Sequence, residues 1–344
     1  MLGTLRLCLA LAVAASHLGY RIAGINPGVS AVVGFYLISG YVMAGLLARH
    51  YPRPRDAGAF YLDRAARLMP QYLFYALLVL LWYRLTPSLP DNPSLAYHLQ
   101  GFRDLRDPHA PPGLLQYLQY LDNLLLIPLN YYMWNGSDRF TLIPPAWSLG
   151  AEIQFYLLAP FVLGWPRRIL GLFLPALLTL GLALLGQIQS DWFGYRLHPG
   201  ILVYFFLGAL LQHLHRRARP KAAWGLVGLT LLAALLATLL AARSGSLVQP
   251  YNREILLGLG LTLPLLQGLA QRPRHPWDEL AGNLSYGVFL NHFLLYWALF
   301  PAGVPLTQLP AFFALSLLLA WASQRYIERP CLALRHRLRA RRAP

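Results

Sequence analysis

The sequence predicts an all-α fold, a polytopic membrane helical bundle of about ten transmembrane helices with both termini in the cytosol. Three observations carry this. Apolar residues make up 57% of the 344 residues and charged residues only 12%, and the mean hydropathy is +0.44. Apolar runs of roughly 20 residues, the length that spans a bilayer as a helix, recur from end to end. Arginines cluster between those runs in a way that one topology gathers onto a single side. No stretch is long and polar enough for a separate soluble domain. Cys8 and Cys331 are too few and too far apart for a disulfide framework or a metal site. A net charge of +16 raises nucleic acid as a partner in a soluble protein. In a membrane protein the placement of charge matters more, so the bilayer is the expected partner and nucleic acid is not.

The ten candidate spans lie near 3–21, 28–48, 68–86, 147–164, 169–188, 197–213, 222–241, 254–270, 281–300 and 306–325. A leader removed after Ala12-Val13-Ala14 is not expected, because the preceding residues are nearly uncharged and many apolar segments follow. A further apolar stretch, about 113–129, is shorter and is broken by Asp122, Asn123 and Pro128. If it does not cross, most of the 29 basic residues fall on one side. These are Arg6, the cluster from Arg49 to Arg67, Arg167 and Arg168, Arg216 to Lys221, Arg272 and Arg274, and the tail from Arg325 to Arg342. If it crosses, every cluster after it switches sides and the bias collapses. The stretch therefore belongs to an outward-facing region of about 87–146, rich in Pro, Tyr and Asp. Its aromatics, Tyr117, Tyr120, Tyr131, Tyr132 and Trp134, suit a membrane-interface lid or simple interfacial anchoring. The expected organisation is a membrane domain over 1–328 and a basic cytosolic tail over 329–344. No internal repeat suggests a transporter built from paired halves.

Polar residues inside such spans mark either a site or a packing contact. Arg6 and His17 are eleven residues apart, about three turns, so they share one face roughly 16 Å apart along the helix axis. The second span ends in Gly34-Phe35-Tyr36-Leu37-Ile38-Ser39-Gly40-Tyr41, where the Ser-Gly pair permits close helix approach or lines a site. Arg64 and Arg67 stand at i and i+3 before the third span, a pair of planar forks suited to phosphate or to positive-inside anchoring. The fourth span opens with Trp147, and Ser148, Glu152 and Tyr156 follow at intervals of four as a polar stripe. Among the thirteen acids, Glu152 is expected to be the one well inside a span, where a carboxylate needs a cation or a histidine such as His17. In the ninth span Ser285 and His292 lie seven apart on one face, and a helix–helix hydrogen bond is the expected role of His292. The last span runs into Arg325-Tyr326-Ile327-Glu328-Arg329-Pro330, expected as a helix end stitched by local ion pairs.

Taken in order, these features resemble acyltransferase family 3, the integral-membrane O-acyltransferases. The series is Arg6 with His17, Phe-Tyr-Leu-Ile-Ser-Gly-Tyr, the Phe60-Tyr61-x-x-Arg64-x-x-Arg67-x-x-Pro70 entrance, Trp147-Ser148-x-x-x-Glu152, Ser285-Tyr286 with His292, and Glu328-Arg329-Pro330. The resemblance covers essentially the whole chain, and the tryptophan-serine-glutamate motif is its most specific part. Two positions depart from it. Ile153 follows the motif glutamate and Val33 precedes the Ser-Gly motif, where members often carry acids. Some members also carry a fused soluble esterase-like domain that this chain lacks, so a second processing step is expected to need another protein.

The resemblance implies transfer of an acyl group, by default acetyl, from cytosolic acyl-CoA to a hydroxyl of an extracytoplasmic glycan or glycolipid, in a bacterial inner membrane. The arginine bias, with Lys221 the single lysine, fits a GC-rich bacterial genome. By resemblance His17 is the general base or, alternatively, an acyl carrier, and Glu152 orients or polarises it. Arg64 and Arg67 hold the phosphates of acetyl-CoA as co-substrate, and Arg6 steadies it. Trp147, Ser148, Tyr156, Ser39, Ser285 and His292 line the site, with Ser148, Tyr156 and Ser39 as candidate oxyanion donors. No metal is expected. The competing reading is a glycan or lipid transporter or flippase in which His17 and Glu152 form a proton relay.

Overall fold

The computed structural model describes residues 1–86, 90–104, 113–273 and 275–333. Arg274 and the tail arginines from Arg335 onward lie outside the described residues. Among the described residues every long element is an α-helix, and an isolated β-bridge joins Ile22 to Ile25. The helices in chain order are α1 (Leu2–His17), α2 (Pro27–His50), α3 (Ala57–Leu85), α4 (Pro93–His98), α5 (Gln100–Asp104), α6 (Leu114–Leu125) and α7 (Tyr132–Asn135). They continue as α8 (Trp147–Val162), α9 (Pro166–Leu184), α10 (His198–Arg216), α11 (Pro220–Arg243), α12 (Asn252–Leu269), α13 (Pro276–Leu299) and α14 (Leu309–Ser323).

Each of the ten candidate spans falls on one of these helices. Five segments are long and apolar enough, by length and composition, to cross a membrane: Pro27–His50, Pro54–Leu85, Arg167–Leu184, Asp191–Arg216 and Pro220–Arg243. The helices α1 and α8, at 16 residues, and α14, at 15, rise only about 24 Å at 1.5 Å per residue, short of a hydrocarbon core of about 30 Å. The first helix also stops sooner than its apolar run. It ends at His17 because Gly19 adopts a left-handed φ of +91°, and the Gly19 and Tyr20 amides turn back to the carbonyls of Ser16 and Ala15.

The chain divides into two compact units. The first comprises residues 1–61 and 154–282 and is organised around α2, which packs against α1, α10 and α12. The Ser39-Gly40 pair explains the closest of these crossings. A Cβ on Gly40 would sit 1.9 Å from the Phe205 carbonyl oxygen, and one on Gly208 would sit 1.9 Å from that of Leu37. Only glycine at both positions lets the backbones of α2 and α10 approach this closely. A hydrogen-bonded chain joins the same helices: the Tyr41 hydroxyl donates to Nδ1 of His215 at 2.9 Å, and His215 Nε2 donates to Gln267 Oε1 at 2.7 Å.

The second unit comprises residues 62–153 and 283–344. There α3 meets the end of α14 through polar contacts, with Gln71 donating to Ser323 Oγ at 3.0 Å and the Tyr75 hydroxyl 2.7 Å from the same atom. The twelve residues of α6 rise about 18 Å, too little to span a bilayer. Its polarity is inverted. Leu114, Leu115, Leu118, Leu121, Leu124 and Leu125 are exposed, while the polar face turns inward. Asn123 donates to the Phe140 carbonyl at 2.6 Å and accepts from the Leu142 amide at 2.9 Å; its own carbonyl accepts from the Tyr72 hydroxyl at 2.7 Å. Gln119 donates to the Asn135 carbonyl, and the Tyr120 hydroxyl to that of Gly101. In water such a helix would leave its leucines hydrated; against lipid tails the same face is at home.

Candidate active site

In the first unit, Arg6 and His17 lie on α1, and His17 is its last residue, exposed on the protein surface. Its neighbour Ser16 is buried and donates to the Val13 carbonyl at 2.8 Å. A Cβ on Gly28 would lie 2.0 Å from Ser16 Oγ, so the first turn of α2 abuts the end of α1 directly beside His17. Asn26 caps that turn by accepting from the Gly28 amide at 3.0 Å. Ser39 is buried in α2 at the crossing with α10. Tyr156 is buried with its ring 6.1 Å from that of Phe60 in an edge-on contact.

In the second unit, Trp147 and Ser148 form the first turn of α8, and Ser148 Oγ donates to the Pro145 carbonyl at 3.0 Å. Glu152 follows one turn later, half-buried. The Tyr286 hydroxyl, which donates to the Leu68 carbonyl at 3.0 Å, lies in the field of Glu152 and Arg67 together. Ser285 is buried beside it in the sequence. His292 is buried too, and its Nδ1 donates to the Val288 carbonyl at 3.1 Å, one turn back on its own helix.

The arginine pair is held from behind by carboxylates. Arg64 pairs with Asp63 and Arg67 with Glu328, and both acids are almost wholly enclosed, Asp63 at 3% and Glu328 at 1% exposure. Asp63, Glu328 and Asp278 are more buried than Glu152. One expectation is corrected here. Glu328 stitches the chain's end to the start of α3 rather than to a local partner. A buried carboxylate carries a large desolvation penalty, and a guanidinium offsets it, from the next residue of α3 for Asp63 and from a separate segment for Glu328.

Sequence reasoning also passed over the end of α10, where Gln212, His213 and Arg216 line a cleft of about 110 Å³ with Tyr51 and the last turns of α2. The signal was present as two histidines, His213 and His215, inside the last turn of an apolar helix, but the neighbouring arginines read as positive-inside anchoring. The structure brings Glu152, Arg67 and Tyr286 together in the second unit, and Arg6, His17 and Ser39 belong to the first.

Comparison with known proteins bears on what these groups do. The acyltransferase domain of acyltransferase family 3 matches residues 2–325, nearly the whole chain. The chain belongs to acyltransferase family 3. It is therefore a membrane acyltransferase in general type. An uncharacterised protein of Aquifex aeolicus is 37% identical over 182 residues, 52% of this chain and 80% of that protein. The O-acetyltransferase OatA of Staphylococcus aureus is 32% identical over 169 residues, 46% of this chain and 25% of its own length. The chain thus spans about a quarter of the O-acetyltransferase it matches. No solved structure matches significantly.

Proposed function

We propose that this family 3 acyltransferase is an O-acetyltransferase of a bacterial inner membrane. It takes acetyl from cytosolic acetyl-CoA and delivers it to a hydroxyl of a glycan or glycolipid on the outer side. Ten crossings with both termini in the cytosol belong to this reading. The observation that carries it is the placement of Arg6 and His17 on one helix, about three turns apart, with His17 as its last residue. The name of the Staphylococcus relative, an O-acetyltransferase, supports acetyl as the group and oxygen as the acceptor atom.

The chemistry follows from the side chains. An alcohol is a poor nucleophile until its proton is removed, and histidine is suited to remove it near neutral pH. His17 takes the hydroxyl proton as the alcohol oxygen attacks the thioester carbon. The C–O bond forms, the C–S bond breaks, and His17 returns the proton to the departing thiolate, leaving free coenzyme A and an acetyl ester. Arg64 and Arg67 hold the donor's phosphates, and Arg6 steadies the donor nearer His17. Glu152 is assigned to the same reaction as a polarising carboxylate. The inverted helix α6 and its aromatic neighbours rest at the outer interface, beside which an amphipathic acceptor arrives.

The test is label transfer in proteoliposomes with radiolabelled acetyl-CoA on one side and a surface-glycan extract on the other. Acetyl ester on the glycan, with stoichiometric free coenzyme A on the donor side, is the expected result. Glycan movement without consumption of acetyl-CoA would replace this reading with a transporter.

A further inference from the structure

The cleft at the end of α10 lies within the first unit, and none of the motif residues lines it. Its floor is made by small residues on one face of α2, Ala44 and Ala48, with Leu47 alongside. Gly45 on the same stretch is needed for its shape, because a Cβ there would lie 2.6 Å from Gln212 Nε2. Tyr51 and Pro52 close one side, and Pro160, Leu163 and Gly164 at the end of α8 close the other. The polar wall is Gln212, His213 and Arg216. His213 Nε2 is buried and has no hydrogen-bond partner among the described residues. Arg216 is exposed at the rim. Among the described residues that line the cleft there is no carboxylate.

Each of these facts constrains a ligand. Leaving a buried ring nitrogen unpaired costs free energy that a ligand donor or acceptor would recover. A volume of about 110 Å³ is below the roughly 150 Å³ of an apolar cavity that accepts benzene, so a planar heterocycle enters by one edge and the rest of it lies at the mouth. The walls are an aromatic ring, prolines and aliphatic carbons, which suit a flat heterocycle. An arginine at the mouth with no acid against it suits a phosphate that projects from that heterocycle toward water.

We propose that this cleft is a nucleotide-binding subsite, with the base between Tyr51 and the α2–α8 walls, Gln212 and His213 reading its edge, and Arg216 on its phosphate. Resting on the acetyl-CoA reading above, it takes the adenine nucleotide end of the acyl donor.

The experiment is equilibrium binding of AMP to the full-length protein in nanodiscs, with acetyl-CoA as competitor and inorganic phosphate as a control. The wild type binds AMP, acetyl-CoA displaces it, and phosphate alone does not. Arg216→Ala weakens AMP about tenfold or more, the weight of one hydrogen bond to a charged group. Ala48→Phe, which fills the cleft with an apolar ring, abolishes AMP binding, whereas Arg217→Ala, outside the lining, leaves it unchanged. Equal AMP affinity in the wild type, Arg216→Ala and Ala48→Phe overturns the subsite, as does a wild type that binds neither AMP nor acetyl-CoA. Two further outcomes separate it from the reading on which it rests. Acetyl transfer with a KM for acetyl-CoA unmoved by Arg216→Ala and Ala48→Phe sinks the subsite and keeps the donor. AMP binding that is lost in those variants, in a protein that transfers no acetyl from acetyl-CoA, keeps the nucleotide site and sinks the donor.

Discussion

Two basic clusters, one at the start of α3 and one at the end of α10, look alike in sequence and differ in structure. At α3, Arg64 and Arg67 lie against Asp63 and Glu328, carboxylates enclosed by the second unit. At α10, Arg216 stands at the rim of a cleft lined by His213 and Gln212 and by no acid. The first cluster is neutral as a set and rigid; the second keeps its charge for whatever enters. Basic residues near a membrane surface therefore divide by what lies beneath them. A guanidinium over a buried carboxylate is first a part of the fold, and any ligand shares it. A guanidinium over a cavity is first a part of a site.

The widest separation between the clusters is in stability. Glu328→Ala leaves Arg67 without its buried partner and lowers unfolding stability by about 3–5 kcal/mol, the cost of breaking one side of a buried pair. Thermal unfolding in nanodiscs measures it, and Arg67→Met in the same protein restores most of the loss. Arg216→Ala, by contrast, moves the unfolding midpoint little, because an exposed pair-free arginine contributes within about 0.5 kcal/mol. A fall in stability as large as that of Glu328→Ala would erase the distinction.

A second contrast sets α6 against the apolar helices around it. Asn123→Ala removes three side-chain hydrogen bonds, to Tyr120 and Phe140 and from Leu142, and costs about 1–3 kcal/mol through the groups left unsatisfied. Hydrogen exchange over 113–142 rises with it, while substitution of an exposed leucine such as Leu118 by alanine leaves exchange unchanged. The smallest effect is one of pH. Burial raises the Asp122 carboxyl from 3.8 to about 6, so the native state favours the protonated form. The docking of α6 is strongest below 3.8 and weakens as pH climbs through about 6. Asp122→Asn flattens that dependence in a pH series of unfolding midpoints; a slope that persists in the variant assigns it to another group.

How much of this could be read from residues alone follows a physical division. The helices were legible because a membrane span writes itself as a long apolar run, and the Gly40 crossing because only glycine permits backbone contact. The end of α1 was misplaced by a few residues although its cause, Gly19, is in plain view, since an apolar run does not stop where a helix does. The short length of α6 followed from Asp122, Asn123 and Pro128 interrupting its stretch. The partnership of Arg67 with Glu328 was not legible, because both residues have ordinary local explanations and only the tertiary fold brings opposite ends of the chain together. The cleft at α10 was hidden for a related reason. Three separate segments form it, and none of Ala48, Tyr51, Leu163 or His213 is unusual where it stands.

The central claim is that His17, at the end of α1, takes the acceptor's proton during acetyl transfer. The most direct measurement compares wild type with His17→Ala in proteoliposomes given radiolabelled acetyl-CoA and surface glycan, with unfolding midpoints checked to be equal. The account predicts labelled glycan from the wild type and a loss of at least about a hundredfold in the variant, the scale of general-base catalysis. Transfer by His17→Ala at the wild-type rate would contradict it.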